Sequence, residues 1–453
     1  MFSSIKRCHR PALALLLGSL LVAGCTLDPN AKKLKFLARG DQDFQAGKFA
    51  DALISYGRAL PIDPNSAETH YKLAQTNLRM GSWPSAYQEL NRTVELQPNN
   101  WKAQVDLGQL ELAAGKRQEA KDRALLVLKG NPKDADAQML LSNSDAALGN
   151  MKDALKEAQD AIQMEPNRSV LYINQGHLQA MANLPKEAEQ SFKQAQAVDP
   201  SSPATLLALG RLYQQQKQWA DGEKAFKDAI QLAPKDVVPR AELAALYFAE
   251  EQPTQGEQVL TEAKEQLSSD PKAYRLLGDS YLARGEQAKA LTEFGSLAQK
   301  YPDDLTVRKT YAQLLVMSDR IDEANAHVQE ILKKAPQDPD GLVLKGNIQV
   351  RQGRADEAVT TLQEALKSEP QNAWAHYHVG LALSQKSDTQ QAESEWREAV
   401  RLRPALAEAW VALGRSAMQR SDWRTLEDIA NQLKKYAPNS IDAYLFYATA
   451  RMN

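Results

Sequence analysis

The sequence predicts an all-α solenoid, and three observations in a single 34-residue frame predict it. Pro64, Pro98, Pro132, Pro166, Pro200 and Pro234 lie 34 residues apart, and Pro302, Pro336, Pro370, Pro404 and Pro438 keep the frame beyond Ser268. With Lys33 as position 1, position 8 holds only Gly, Ala or Ser, from Gly40 to Ala448. Position 20 is Ala from Ala52 to Ala392, save for Gly222 and Gly256, and turns to Leu426 in the last unit. A length of 453 residues suggests about three domains. The unbroken period replaces them with one repeated array. The chain is 43% hydrophobic and 25% charged, an ordinary composition for a folded protein. Its 55 Lys and Arg against 57 Asp and Glu leave no basic excess, which disfavours nucleic acid as a partner. Cys8 and Cys25 are the only cysteines, so the body of the chain has neither a disulfide framework nor a cysteine zinc site.

Residues 1–24 read as a secretory signal. Lys6, Arg7 and Arg10 form a basic head, and the apolar run Ala12–Ala23 is too short to span a bilayer as a helix. The run ends Leu21-Val22-Ala23-Gly24-Cys25, which resembles the lipobox of bacterial lipoproteins. That resemblance implies cleavage before Cys25 and acylation of Cys25, whose chains would anchor the protein to a membrane. Thr26 stands where an Asp would favour the inner membrane, so the outer membrane is expected. Loss of the three basic residues takes the net charge from -2 to -5. Residues 25–32 are then the lipidated cysteine and a short tether, which keeps the array near the bilayer.

Residues 33–440 hold twelve units without insertion. Position 24 carries larger apolar groups such as Tyr56, Leu90, Phe192, Phe226, Phe294 and Trp396, and position 27 is often Ala. Position 15 is Gly47, Gly81, Gly115, Gly149, Gly285 and Gly353 in half of the units, and Phe49, Trp83, Trp219 and Trp423 recur at position 17. This pattern resembles the tetratricopeptide (TPR) repeat. The resemblance implies two antiparallel helices per unit, close-packed through positions 8 and 20 and filled by large residues at 4, 7, 11 and 24. The glycines suit the left-handed turn between the helices, and the proline stops the second helix. Units of this family stack into a right-handed superhelix, with the first helices lining a concave groove. At units 7 and 8, Ser268-Ser269-Asp270 replaces the proline turn and Gly256 takes position 20, marking the weakest joint. Residues 441–453 match one further first helix. Its Tyr444, Leu445, Phe446 and Tyr447 read as an apolar end face, which fits either docking on another copy or a partner, or a longer array of which this is a piece.

Chemistry is sparse. Of six histidines, His9 leaves with the signal, His70 and His376 fall at packing position 4, and His177 at position 9 faces the groove. His376 and His378 are two apart on a helix and point to opposite sides, so they cannot share a metal ion. Phosphate-binding, nucleophile-elbow and zinc-protease motifs are absent, and no non-repeat segment is long enough for a catalytic domain. No enzyme activity, cofactor or metal is expected.

The groove is the remaining candidate. In the family, positions 2, 5, 9 and 12 of the first helices line it. Here position 5 is mostly apolar and position 9 mostly polar. The Lys and Asn set of TPR clamps for C-terminal carboxylates is not assembled in any unit, since Lys309 lacks the Asn partners. The densest surface is unit 11, with Trp374, Tyr377 and Leu381 at positions 2, 5 and 9, joined by Arg415 and Met418 of unit 12. Aromatic and arginine side chains carry much of the energy at protein interfaces. The sequence therefore predicts a non-catalytic, lipid-anchored scaffold on the periplasmic face of a bacterial outer membrane. It would hold envelope proteins or peptides in its groove and assist assembly of an envelope complex. The alternative is an accessory subunit of an exopolysaccharide export or glycosylation system. Glycan binding calls for stacking aromatics spread along the groove, whereas these are clustered.

Overall fold

The computed structural model describes residues 28–453, so Cys25 and the signal lie outside the described residues. Those residues form 25 helices and no strand. The chain divides into two compact units, the first ending at Leu212 and the second beginning at Tyr213.

In the first unit the helix pairs are α1 (Pro29–Gln45) with α2 (Phe49–Ala59), α3 (Ala67–Arg79) with α4 (Trp83–Leu96), and α5 (Trp101–Ala113) with α6 (Arg117–Gly130). They continue as α7 (Ala135–Leu148) with α8 (Met151–Met164) and α9 (Ser169–Met181) with α10 (Pro185–Val198). The division falls inside α11 (Pro203–Gln215), away from the Ser268 joint. The second unit holds α12 (Trp219–Leu232), then α13 (Val238–Ala249) with α14 (Pro253–Gln266) and α15 (Pro271–Ala283) with α16 (Gln287–Lys300). It goes on with α17 (Leu305–Met317) and α18 (Ile321–Lys334), α19 (Pro339–Arg351) and α20 (Ala355–Ser368), and α21 (Ala373–Gln385) and α22 (Thr389–Leu402). The last elements are α23 (Ala407–Gln419), α24 (Trp423–Tyr436) and α25 (Ile441–Met452).

Each boundary has a local cause. A residue before proline is pushed to extended backbone. Gln97, Ala335 and Arg403 accordingly sit near φ −135°, and the second helix ends one residue earlier. Position 34 supplies the next N-cap in seven of the twelve units: Ser66, Asn100, Asp134, Asp270, Asp304, Asp338 and Asn372 each accept a backbone N–H of the following first turn. Position 15 has positive φ in all twelve units. The six glycines take it, and so do Asn183, Lys217, Glu251, Asp319, Ser387 and Ser421, at φ 57–63°. The turn geometry therefore holds even where the residue disfavours it.

Packing follows the small columns. A Cβ on Gly176, Gly278 or Gly380 would strike Phe192, Phe294 or Trp396, the position-24 side chain of the same unit. Two units depart from this in the same way. Position 24 is Ala124 in unit 3 and Ala430 in unit 12, and there the space over Gly108 and Gly414 is filled by Leu140 and Phe446. Both fillers come from position 6 of the following helix. Phe446 is thus core, 1% exposed, not part of an apolar end face. Tyr447 is half-buried with the Lys434 ammonium 3.3 Å from its ring centroid, whereas Ile441, Tyr444 and Leu445 are exposed.

Position 4 adds a polar role to the expected filling one, since His70, Gln104, Leu206, Tyr274 and Leu342 are buried there. His70, Gln104, Tyr172, Arg308, His376, Trp410 and Tyr444 each direct a side-chain nitrogen or hydroxyl to the carbonyl of the proline six residues earlier, at 2.8–3.2 Å. This satisfies a carbonyl that the ended helix leaves unpaired. At the Ser268 joint, two tyrosines take over. Tyr301 donates to Ser268 O at 2.9 Å, and its ring stacks on Tyr274 at 3.9 Å. The joint is also clamped beside Gly256, where a Cβ would strike the Phe248 ring. The Arg284 guanidinium lies 4.0 Å from that ring centroid and reaches Glu257 at 3.1 Å. The expected weak joint is bridged by charge and aromatic contacts.

Candidate functional site

Trp374, Tyr377 and Leu381 follow one face of α21 at successive helical turns. All three are half-buried and pack against the apolar cluster that runs from Val350 of α19 to Phe446 of α25. Trp374 meets Tyr377 edge-on, with centroids 5.9 Å apart, and lies nearly parallel to the His378 ring at 6.0 Å. His378 is 6% exposed, and burial pushes its pKa down to about 3, helped by Arg351, so the ring is neutral. The Tyr377 hydroxyl is pushed up by burial and by the Glu408 carboxylate, with Arg415 and Arg351 pulling the other way.

Met418 of α23 packs half-buried against the same core, and Arg415 is exposed. The Arg415 guanidinium stands 3.9 Å from Asp442 of α25, a loose pairing across the next helix. The predicted residues thus form an aromatic and aliphatic face with a guanidinium at its side. Sequence reading missed His378, which supports Trp374, as well as Arg351 and Glu408. Placing His378 in the buried stripe of α21 would have found the first of these.

His376 points elsewhere. Its Nδ1 lies 2.6 Å from Glu395 and its Nε2 3.1 Å from Pro370 O, and His70 repeats the arrangement with Glu89 and Pro64 at 2.6 and 3.0 Å. Lys309 is held by Asp338 and Asp340, at 3.2 and 2.8 Å. Among the described residues no three His, Cys, Asp or Glu side chains are grouped to hold a metal ion, and no helix is long and apolar enough to cross a membrane.

Family profiles described as TPR repeat and tetratricopeptide repeat match residues 40–81, 105–169, 168–337 and 346–387, well over half of the chain. The chain is a tetratricopeptide repeat protein. TPR arrays generally mediate protein–protein binding, and a face of half-buried aromatics beside an arginine suits that role. No curated protein matches the chain. Among solved structures, yeast Tom70 is 16% identical, with 94% of this chain and 96% of that chain covered at a TM-score of 0.42. A TPR protein from Parabacteroides merdae is 20% identical over 55% of this chain and 99% of its own, at a TM-score of 0.37. The MamA protein is 25% identical over 38% and 94%, at 0.33. At these scores the TPR array takes no partner or role from any of them.

Proposed function

We propose that this chain is a non-catalytic scaffold that holds protein segments against the α21–α23 face at the bacterial cell envelope. The observation that supports this is the Trp374–Tyr377–Leu381 face, half-buried and braced by the neutral His378, with Arg415 beside it. Rigid aromatics lose little rotamer entropy on binding, and the exposed guanidinium can pair with a partner carboxylate. Tethering through a lipidated Cys25 on the periplasmic side of the outer membrane would concentrate the scaffold where envelope complexes assemble. The supporting pattern is the basic head, short apolar run and small-residue approach to Cys25.

Replacing Trp374 and Tyr377 together by Ala should abolish capture of a crosslinkable envelope partner while the far-ultraviolet circular dichroism stays unchanged. Unaltered capture with intact helicity would remove the site assignment. Cys25→Ala should release the protein from washed membranes, and a variant that stays bound would remove the anchor.

A further inference from the structure

A second binding site lies in the first unit, on the edge where the turns between paired helices gather. The start of α4 and the end of α5 enclose a hollow of about 580 Å³, lined by Trp83, Tyr87, Leu110, Ala113, Ala114 and Lys116. Trp83 is 58% exposed, whereas Phe49, Trp219 and Trp423 at the same repeat position are half-buried. The repeats serve as one another's controls. Positions 13 and 14 are Ala-Ala only in unit 3, and every other unit has at least one longer side chain there, such as Arg79 and Met80, Arg284 or Arg420. Ala113 and Ala114 line the hollow with methyl groups alone, so neither position reaches over the exposed indole of Trp83.

The lining carries one charge, and it is positive. The Lys116 ammonium sits 4.9 Å from the Tyr87 ring centroid and donates to its hydroxyl at 3.1 Å. Glu111 on α5 is already held by the Arg123 guanidinium, at 2.9 Å. Arg117 adds an exposed cation next to Lys116. An apolar floor with an aromatic wall selects a flat apolar group, and the cationic rim selects an anion next to it. We infer that this hollow binds an aromatic side chain of a partner peptide whose neighbouring residue is acidic, with the ring on Trp83 and the carboxylate at Lys116. The site is separate from the α21–α23 face and stands whether or not that face binds anything.

The test uses the full chain labelled with 5-fluorotryptophan, whose seven tryptophans give separate ¹⁹F signals, with Trp83 assigned by Trp83→Phe. The probe is acetyl-Gly-Asp-Phe-Asp-Gly-amide, compared with its Asn-Phe-Asn and Asp-Ala-Asp counterparts. The expected result is a saturable shift of the Trp83 signal with the acidic aromatic peptide and none with the alanine peptide. The neutral peptide, and the Lys116→Gln variant, should each bind about two- to fivefold more weakly, as expected for an exposed charge pair. Ala114→Arg, which copies units 8 and 12, should abolish the shift and leave the six other signals in place. No saturable shift, or equal binding of acidic and neutral peptides, would overturn the assignment. So would a response to cellobiose or laurate in place of the peptide.

Discussion

The gap over position 8 can be filled from two directions, and Leu140 offers the sharpest test of that. Leu140 is 2% exposed and reaches over Gly108 because Ala124 is too short to do so. Leu140→Ala should destabilise its surroundings by about 2–5 kcal/mol, through lost apolar burial and the cavity left behind. A Cβ on Gly108 would lie 2.5 Å from Leu140 Cδ2, so Gly108→Ala alone forces overpacking that costs about 1–3 kcal/mol. The helical preference for Ala offsets only about 0.5–1 kcal/mol of it. With Leu140 already cut to Ala the clash is gone, and the same Gly108→Ala should become stabilising by about 0.5–1 kcal/mol. Ala124→Leu in the Leu140→Ala background restores the arrangement of Gly346 under Leu362 and should recover at least half of the loss. Long repeat arrays do not unfold in a two-state manner. Native-state amide exchange in α5, α6 and α7 therefore reads the local free energy better than a global melt. If Gly108→Ala destabilises equally in both backgrounds, Leu140 is not what occupies the gap.

Three further outcomes follow from the same geometry. Lys217→Gly and Glu251→Gly, at φ 59° and 60°, should each stabilise by about 0.5–1 kcal/mol, since the left-handed conformation costs a side chain more than glycine loses in entropy; exchange in the flanking helices checks this, and a loss of protection would contradict it. His376 has acceptors at both ring nitrogens, and Glu395 holds its pKa above the usual value. Its contribution is fully present below the unfolded pKa of about 6.5 and is lost as pH rises through the folded value. The difference in native-state amide protection of α21 and α22 between wild type and His376→Gln, corrected for intrinsic exchange, should therefore shrink from pH 5.5 to 8.5, and a constant difference would show that the ring is not charged. Phe446→Ala should cost about 3–5 kcal/mol and expose the amides of α25 to exchange while α15 and α16 keep their protection.

The repeat was legible because solenoid contacts run between neighbours, so each constraint returns every 34 residues. Proline stops, small positions and the glycine turns are of this kind. What stayed hidden crosses the frame or depends on context. The exchange of Ala430 for Phe446 joins two different columns, and no single column reveals it. Lys217 and Glu251 give no sign of left-handed backbone, since the neighbouring helices impose it. The bridge from Arg284 to Phe248 and Glu257 links positions on three helices, which the local loss of proline at Ser268 conceals. At the candidate site, Trp374 and Tyr377 stood out by residue type. The brace from His378 depends on which side of α21 is buried, and the Trp83 hollow depends on what Ala113 and Ala114 lack.

The scaffold reading is tested most directly by position-specific photocrosslinking in living cells. p-Benzoylphenylalanine at Tyr377 and Arg415 should trap one discrete set of protein partners. The same group at Gln363 and Gln390, exposed on the second helices α20 and α22, should not trap that set. Identical products from both sets of positions, or none from Tyr377 and Arg415, would contradict partner capture on the α21–α23 face.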